Sequence, residues 1–424
     1  MLDLRYLRSN PAEAERRLKA RDPHISLDRL KALDAAWRNV LQRVEELRAE
    51  RNEVGQAIAA AKKAGEDAEL AIERMGKLKE ELAGLEEQVE QFKAELNDEL
   101  LGLPNLPDER VPVSQDEDDA QELRISGRLP NLDFEPRDHV ELGEELEILD
   151  FSASAKLAGA GFALYKNDGA LLEWALLTWL FNRAAAAGFT PVLPPFLVNA
   201  DSLYTSSQLP KFMGDIYKLA EDELYLIPTS EVPLVNLGRE ETFAEEDLPR
   251  SFTAVTANFR REAGTYGRDT RGLVRTHQFN KVELVTFCTP EQAEDAFERI
   301  LTHAEGVVEA LGLRWRTIRL VTGDMAGQAA MTVDVEVWCP GMKRWWEVSS
   351  VSNCTDYQAR RGAIRYKPAA GGKSMLCHTL NGSGVATSRL LPAVLETFQR
   401  ADGSVALPEV LRPYLDGKKE IRRN

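Results

Sequence analysis

From Trp37 the apolar positions fall at Val40, Val44 and Leu47, then at Val54 and Ile58, an alternating three-four spacing that only Arg51 breaks. This is the seam of a coiled coil. After the polar stretch "KKAGEDAE" the spacing restarts at Met75, Leu78, Leu82, Leu85, Val89, Phe92 and Leu96, with Glu, Lys and Gln filling the other positions. Two helices of similar length around a short turn at Gly65 predict an antiparallel hairpin, roughly 50 Å long at about 1.5 Å rise per residue. Two members of an ordinary bundle would need partner helices, and few stand nearby, so the pattern favours a projecting arm.

Beyond Gly102 the period is lost. The segment "GLPNLPDERVPVSQDEDDAQELRISGRLPNLDFEP" holds five prolines and many acids, which predicts a linker over 103–137. From Asp138 onward a helical stretch, "ALLEWALLTWLFNRAAAAG", is followed by β-rich runs including "SFTAVTANFRR", "FNKVELVTFC", "MTVDVEVWC" and "RWWEVSSVSNC". Several follow one another through short turns. The expected class is therefore α+β, an antiparallel sheet flanked by helices over 138–424, preceded by the helical arm over 1–102. In "NGSG" (Asn381 to Gly384) the glycines predict a turn opening a helix that carries Leu390, Leu391, Val394, Leu395 and Phe398, with Arg389 in its first turns. The basic tail "GKKEIRRN" is expected to fray.

Composition narrows the classes. A chain of 424 residues with 43% hydrophobic and 29% charged residues suits a multi-domain globular protein. No apolar run nears the ~20 residues of a membrane span, and the N-terminus reads as no secretory signal, so a cytoplasmic location is expected. Cys288, Cys339, Cys354 and Cys377 are widely spaced, which favours buried reduced thiols over disulfides or structural zinc. A net charge of −16 argues against non-specific nucleic-acid binding; basic patches would have to act locally.

Against that acidic background, "FRREAGTYGRDTRGLVRTHQF" (Phe259 to Phe279) gathers Arg260, Arg261, Arg268, Arg271 and Arg275 on a loop with Gly264, Gly267 and Gly272. Forked guanidinium donors on a backbone that allows close approach suit phosphate or carboxylate. Arg260 and Glu262 alternate on a strand and so face one way, an arrangement able to pair a phosphate with an exocyclic amine. The helix start at "NGSG" with Arg389 suits a second anion. "GGKS" (Gly371 to Ser374) fails as a P-loop, because Lys367 stands where that motif requires glycine. The histidines lack metal-ligand spacing, and no GxSxG element signals nucleophilic hydrolysis.

Taken together, the helical hairpin, "LGLPNLPDERVPV", "VLPPFLV", "QLPKF", "LIPTSEVPL", "FRREAG", "GRDTRGL", "HQFNKVEL", "SSVSN", "DYQARR" and "TLNGSG" resemble, in order and over nearly the whole chain, a bacterial-type seryl-tRNA synthetase of the class II aminoacyl-tRNA synthetases. The resemblance implies that Arg260 binds the α-phosphate of ATP and the serine carboxylate, Glu262 meets the adenine amine, Phe279 stacks on adenine and Arg389 holds the terminal phosphate. It implies that Thr229 and Glu231, with Ser230 in the same motif, take the serine ammonium. Glu283 and Ser383 would surround the serine side chain, and Asn353 would line the pocket. Glu347 and Ser350 would hold Mg²⁺ and phosphate, with Arg261, Arg271, Val348 and Ser349 joining the ATP set. The partners implied are L-serine, ATP, tRNA(Ser), with tRNA(Sec) as an optional second acceptor, and a second copy of the chain through the motif at Pro195. A carboxylate bonded to the substrate hydroxyl could reject alanine by as much as ~10⁴-fold.

The arm offers Arg38, Arg43, Arg48, Arg51, Lys62 and Lys63 to phosphates, although Glu45, Glu46, Glu50 and Glu53 interleave. Some positions depart from the family pattern: Ser388 before the motif arginine, and Gly327, Met331 and Val333 in "DMAGQAAMTVDVEVW". A diverged, non-catalytic tRNA- or nucleotide-binding relative is the competing reading. The intact set of Arg260, Glu262, Glu283, Glu347 and Arg389 favours the enzyme.

Overall fold

A computed structural model describes residues 1–262 and 272–423. The chain forms two units: one comprises Leu4–Lys19 with Pro23–Leu103, and the other comprises Met1–Asp3, Ala20–Asp22 and the chain from Pro104 onward.

In the helical unit, α1 (Asp28–Ala64) and α2 (Glu69–Gly102) form the predicted hairpin. Its seam buries Val44 and Leu47 against Leu78 and Leu82, with Val54, Leu85 and Val89 half-buried beside them. Gly65 ends α1 at φ 75°, a left-handed conformation that glycine adopts without a Cβ clash. Ion pairs bind the two helices: Arg43 with Glu81 at 3.0 Å, Arg48 with Glu86 at 2.7 Å and Arg74 with Glu50 at 2.5 Å. All are half-exposed, so each contributes little, about 0–1 kcal/mol.

The second unit is built on an eight-stranded sheet. Its strands in chain order are β1 (Gln121–Ser126), β2 (Thr190–Val192), β3 (Arg250–Phe259), β4 (Gln278–Cys288), β5 (Trp315–Arg319), β6 (Met331–Cys339), β7 (Arg344–Asn353) and β8 (His378–Ala386). Across the sheet they run β1-β5-β6-β7-β8-β4-β3-β2, antiparallel except for the β2–β3 pair. On one face pack α3 (Asp168–Ala186), α5 (Ala293–Ala310) and α6 (Thr387–Thr397), burying Leu176, Ile300 and Leu391 against Val282, Leu284, Val335 and Val351. On the other, the short α4 (Glu231–Asn236) lays Leu234 and Val235 over Val285 and Phe287. Because strand residues alternate, Val285 and Phe287 share a face with Lys281 and Glu283, and beyond α4 that face opens into a cavity.

Three expectations change. The segment read as a linker over 103–137 contains β1, one of the sheet's two edge strands, paired with β5. Its side chains are exposed or half-buried, so it lacks the apolar alternation that marks a strand. The "NGSG" stretch is not a turn: all four residues lie within β8, with Asn381 and Gly382 paired to both β7 and β4 and Ser383 to β4. A Cβ on Gly382 would stand 2.5 Å from Ile300 Cγ2, so glycine there lets α5 pack close against the strand. The tail does not fray at Glu420–Ile421, which pairs with Val405–Ala406 and buries Ile421. As expected, all four cysteines are free and buried. Among the described residues no helix is long and apolar enough to cross a membrane.

Candidate functional site

The open face of the sheet holds a cavity of ≈ 450 Å³, joined through shared walls to a recess of ≈ 200 Å³. Arg260, Glu262, Lys281, Glu347 and Ser383 line both. Thr229, Glu231, Glu283 and Ser350 line the larger, and Phe279, Ser388, Arg275 and Arg389 the smaller. The strands explain the convergence: β4 carries Phe279, Lys281 and Glu283 at every second position on one face. On β7 the register slips between Glu347 and Ser349. That bulge lets Glu347 and Ser350, three residues apart, face the same cavity.

The electrostatics divide the site in two. In the larger cavity Glu231 is buried and accepts from Gln358 at 2.6 Å and Gln328 at 3.4 Å. Burial, then the nearby Glu283 carboxylate, pushes its pKa up to about 7, against the pull of Gln358 and Lys281. Lys281 Nζ lies 2.6 Å from Glu283 and donates to Thr229 Oγ1 at 2.6 Å. In the recess Arg389 pairs with Glu347 at 2.8 Å and donates to its main-chain carbonyl at 3.0 Å. Burial pushes the Glu347 carboxyl up, but Arg389, Arg260 and Lys281 outweigh it and hold the group below its ordinary range. Arg260 sits with its guanidinium 5.1 Å from the Phe279 ring centre, its Nε donating to the Pro228 carbonyl at 3.2 Å. Burial and the repulsion of Arg389 lower its pKa.

Not every expected residue reaches the cavities. Ser230 is fully buried and bonds Thr256 at 2.6 Å, and Asn353 turns its Oδ1 to the Thr355 N–H at 2.8 Å. Val348 lies in the main core and Ser349 donates to the Ser383 carbonyl at 2.5 Å. Arg261 places its guanidinium 5.9 Å from the Tyr217 ring centre. None of these five lines a cavity. Alternation turns Asn353 away from its cavity-lining neighbour Ser352, and the bulge takes up Val348 and Ser349 between Glu347 and Ser350. Arg268 and Arg271 lie outside the described residues. Met331 and Val333, the departures on β6, are core residues on the helix-packed face. Lys281, Gln328, Ser352 and Asn381 line the larger cavity without having been expected. Lys281 was findable, since it alternates with Glu283 in "NKVEL".

Among the described residues no group of three His, Cys, Asp or Glu is arranged as an ion cage. Magnesium requires less, one or two carboxylates supplemented by substrate phosphates and water. Glu347 and Ser350 stand together on the cavity wall, and the buried Asp334 beside them has an Oδ1 with no hydrogen-bond partner. Burial and the Glu347 charge raise the Asp334 pKa well above the ordinary range. This hard-oxygen set fits a magnesium ion bound together with phosphates.

Residues 1–107 match the family model described as the seryl-tRNA synthetase N-terminal domain, and residues 216–398 match the tRNA synthetase class II core domain (G, H, P, S and T). A serine–tRNA ligase of Nitratidesulfovibrio vulgaris is 47% identical over 422 residues, 99% of this chain and 100% of that protein. One from Chlamydia abortus is 47% identical over 423 residues, with the same coverage. The crystal structure of seryl-tRNA synthetase from Pyrococcus horikoshii complexed with ATP aligns with a TM-score of 0.95 at 35% identity over 100% of both chains. That of the cytoplasmic serine–tRNA ligase from Naegleria fowleri, in complex with AMP, aligns at 0.89 with 26% identity over 100% of this chain and 99% of the other.

Proposed function

The chain belongs to the seryl-tRNA synthetase family, and on that premise we propose that the residues around Arg260 and Glu231 activate serine with ATP and that the helical arm presents tRNA. The enzyme is an ATP-dependent ligase that joins serine to tRNA. A carboxylate oxygen of serine attacks the α-phosphorus of ATP and pyrophosphate departs, leaving seryl-adenylate. A terminal ribose hydroxyl of tRNA then attacks the seryl carbonyl and AMP departs. Both steps require positioning and charge neutralisation rather than a protein nucleophile.

The carrying observation is the distribution of charge across adjoining cavities, with buried Glu231 and Glu283 in the larger, Arg389 in the smaller and Arg260 lining both. Glu231 and Thr229 take the ammonium, and Glu283, held by Lys281, faces the serine hydroxyl. Arg260 lies in both cavities and can bridge the serine carboxylate and the α-phosphate. Phe279 and Arg389 line the recess that suits adenine and the terminal phosphate. Glu347 and Ser350, with Asp334 behind them, would hold magnesium, which neutralises phosphate charge.

The ammonium assignment has a pH signature. Glu231 must be ionised to hold the ammonium, and its pKa in the free protein is about 7. Its charge is complete above that pH and lost below it. The kcat/KM for serine in ATP–pyrophosphate exchange should therefore fall about tenfold per unit below pH ~7, with Glu231→Gln removing that acid limb. A flat profile between pH ~5.5 and 8 would contradict the assignment.

The arm, residues 1–102, is proposed as the tRNA-binding unit. Arg43 and Arg48 are engaged with Glu81 and Glu86, which leaves Arg51, Lys62 and Lys63 toward the hairpin end as the better phosphate contacts. The chain is also proposed to form a homodimer in the cytoplasm. Leu171, Trp174, Leu193, Phe196 and Leu197 are exposed around α3 and β2, and Trp174 retains 68% of its accessible surface. Exposed apolar residues this close together suit a covered face. Light scattering should give twice 47.4 kDa, and Trp174→Asp should shift the mass toward one chain. A monomer at micromolar concentration would refute the dimer.

A further inference from the structure

We infer that Arg21 and Asn105 are positioning residues for the amino-acid cavity, acting through the loop 325–330; this rests on reading Glu231 as the ammonium site. The loop contributes Ala326 and Gln328 to the cavity wall. Gln328 Nε2 donates to Glu231 Oε1 at 3.4 Å, beside the 2.6 Å bond from Gln358. Where the loop backbone lies therefore sets one of the donors on the carboxylate that receives the substrate.

The loop follows no ladder of its own, and its carbonyls are taken up in an unusual way. Arg21 donates to the carbonyls of Met325 at 2.8 Å, Ala326 at 2.9 Å and Ala329 at 2.7 Å. The Asn105 main-chain N–H donates to Gly327 at 2.7 Å, and its side-chain amide to Gln328 at 2.9 Å. Asp108 N–H takes the Ala330 carbonyl at 2.7 Å. Six consecutive carbonyls thus accept from Arg21 or from the stretch 105–108. Buried carbonyls without donors are costly, so these bonds allow an irregular backbone to persist here.

Arg21 is an expensive device for stability alone. It is 7% exposed, its acceptors are main-chain carbonyls, and burial lowers its pKa to about 10, which leaves it charged at neutral pH. Burying a guanidinium against uncharged acceptors stabilises a fold less well than apolar packing would. What the planar fork supplies is geometry, holding three carbonyls of one loop at fixed angles, which a lysine ammonium cannot reproduce. Arg21 and Asn105 lie at the two places where the chain passes into and out of the helical unit Pro23–Leu103. Sequence changes at either passage would therefore be felt at Gln328.

The test is steady-state ATP–pyrophosphate exchange with the full chain carrying Arg21→Met, Arg21→Lys, Asn105→Ala or Gln328→Ala. Arg21→Met and Asn105→Ala should raise the KM for serine about tenfold while the KM for ATP stays within about twofold, with Arg21→Lys restoring little. In a Gln328→Ala background, Arg21→Met should add less than about twofold, because both act on the same donor. If Arg21→Met does not fold, Asn105→Ala and its double variant with Gln328→Ala decide the matter. Unchanged KM for serine in folded variants, equal rises for serine and ATP, or multiplicative effects in the cycle would overturn the inference. A wild-type chain inactive with serine would instead sink the ammonium reading on which it rests.

Discussion

Replacing Arg260 with alanine is expected to reduce serine-dependent ATP–pyrophosphate exchange by about 10³-fold or more, with kcat carrying most of the loss. Arg260 is half-buried and lines both cavities, whose walls also carry the carboxylates of Glu231, Glu283, Glu262 and Glu347. Among the described residues, removing it leaves Lys281, already paired with Glu283, Arg389, already paired with Glu347, and Arg275, 3.6 Å from Glu262. Each cation left among the described residues is thus engaged with a carboxylate of its own, and none of them spans both cavities with a forked pair of donors for the negative charge that develops as the serine carboxylate approaches the α-phosphorus. Lysine should recover less than about a tenth of the activity, because a point charge cannot offer the forked donors or lie across the Phe279 ring. Circular dichroism and thermal melting separate this from unfolding. A folded Arg260→Ala protein within about tenfold of wild type would show that charge neutralisation at this junction is not what drives the reaction.

Excision of residues 45–83, with a short glycine linker joining the helix stumps, is expected to lower tRNA serylation by more than about 10²-fold and to leave exchange within about threefold. The hairpin has its own seam of Val44, Leu47, Leu78 and Leu82. The catalytic sheet and both cavities belong to the other unit. The deletion therefore separates tRNA presentation from activation. Arg51, Lys62 and Lys63 fall within the excised stretch, so neutralising those three in the intact arm should reproduce part of the loss as a raised KM for tRNA, with a shallower salt dependence. Undiminished serylation by the truncated protein would show that tRNA is held elsewhere.

What was legible in the sequence follows from how far each signal reaches. The arm was readable because its apolar spacing repeats over many turns, and the central strands because β-branched runs alternate cleanly. β1 was not, because an edge strand with exposed side chains leaves no apolar trace. The glycines of "NGSG" suggested a turn, yet Gly382 serves the approach of α5 to a paired strand, a tertiary demand with no local signature. At the site, Arg260, Glu231, Glu283, Glu347, Phe279 and Arg389, singled out by motif membership, all line the cavities. Ser230, Arg261, Val348, Ser349 and Asn353, named by the same motifs, line neither cavity, a difference that depends on side-chain direction and not on motif membership. The contribution of Gln328 was hidden for the opposite reason. Its position depends on Arg21, some three hundred residues away in sequence.

The most direct test is ATP–pyrophosphate exchange by the purified chain with serine, threonine, alanine and glycine offered separately. Serine should drive exchange, and alanine should fall behind it by as much as ~10⁴-fold, since it would leave Glu283 without its hydroxyl partner. A folded protein that binds ATP yet exchanges no pyrophosphate with serine, or that prefers another of the four, would contradict the assignment of this site to serine activation.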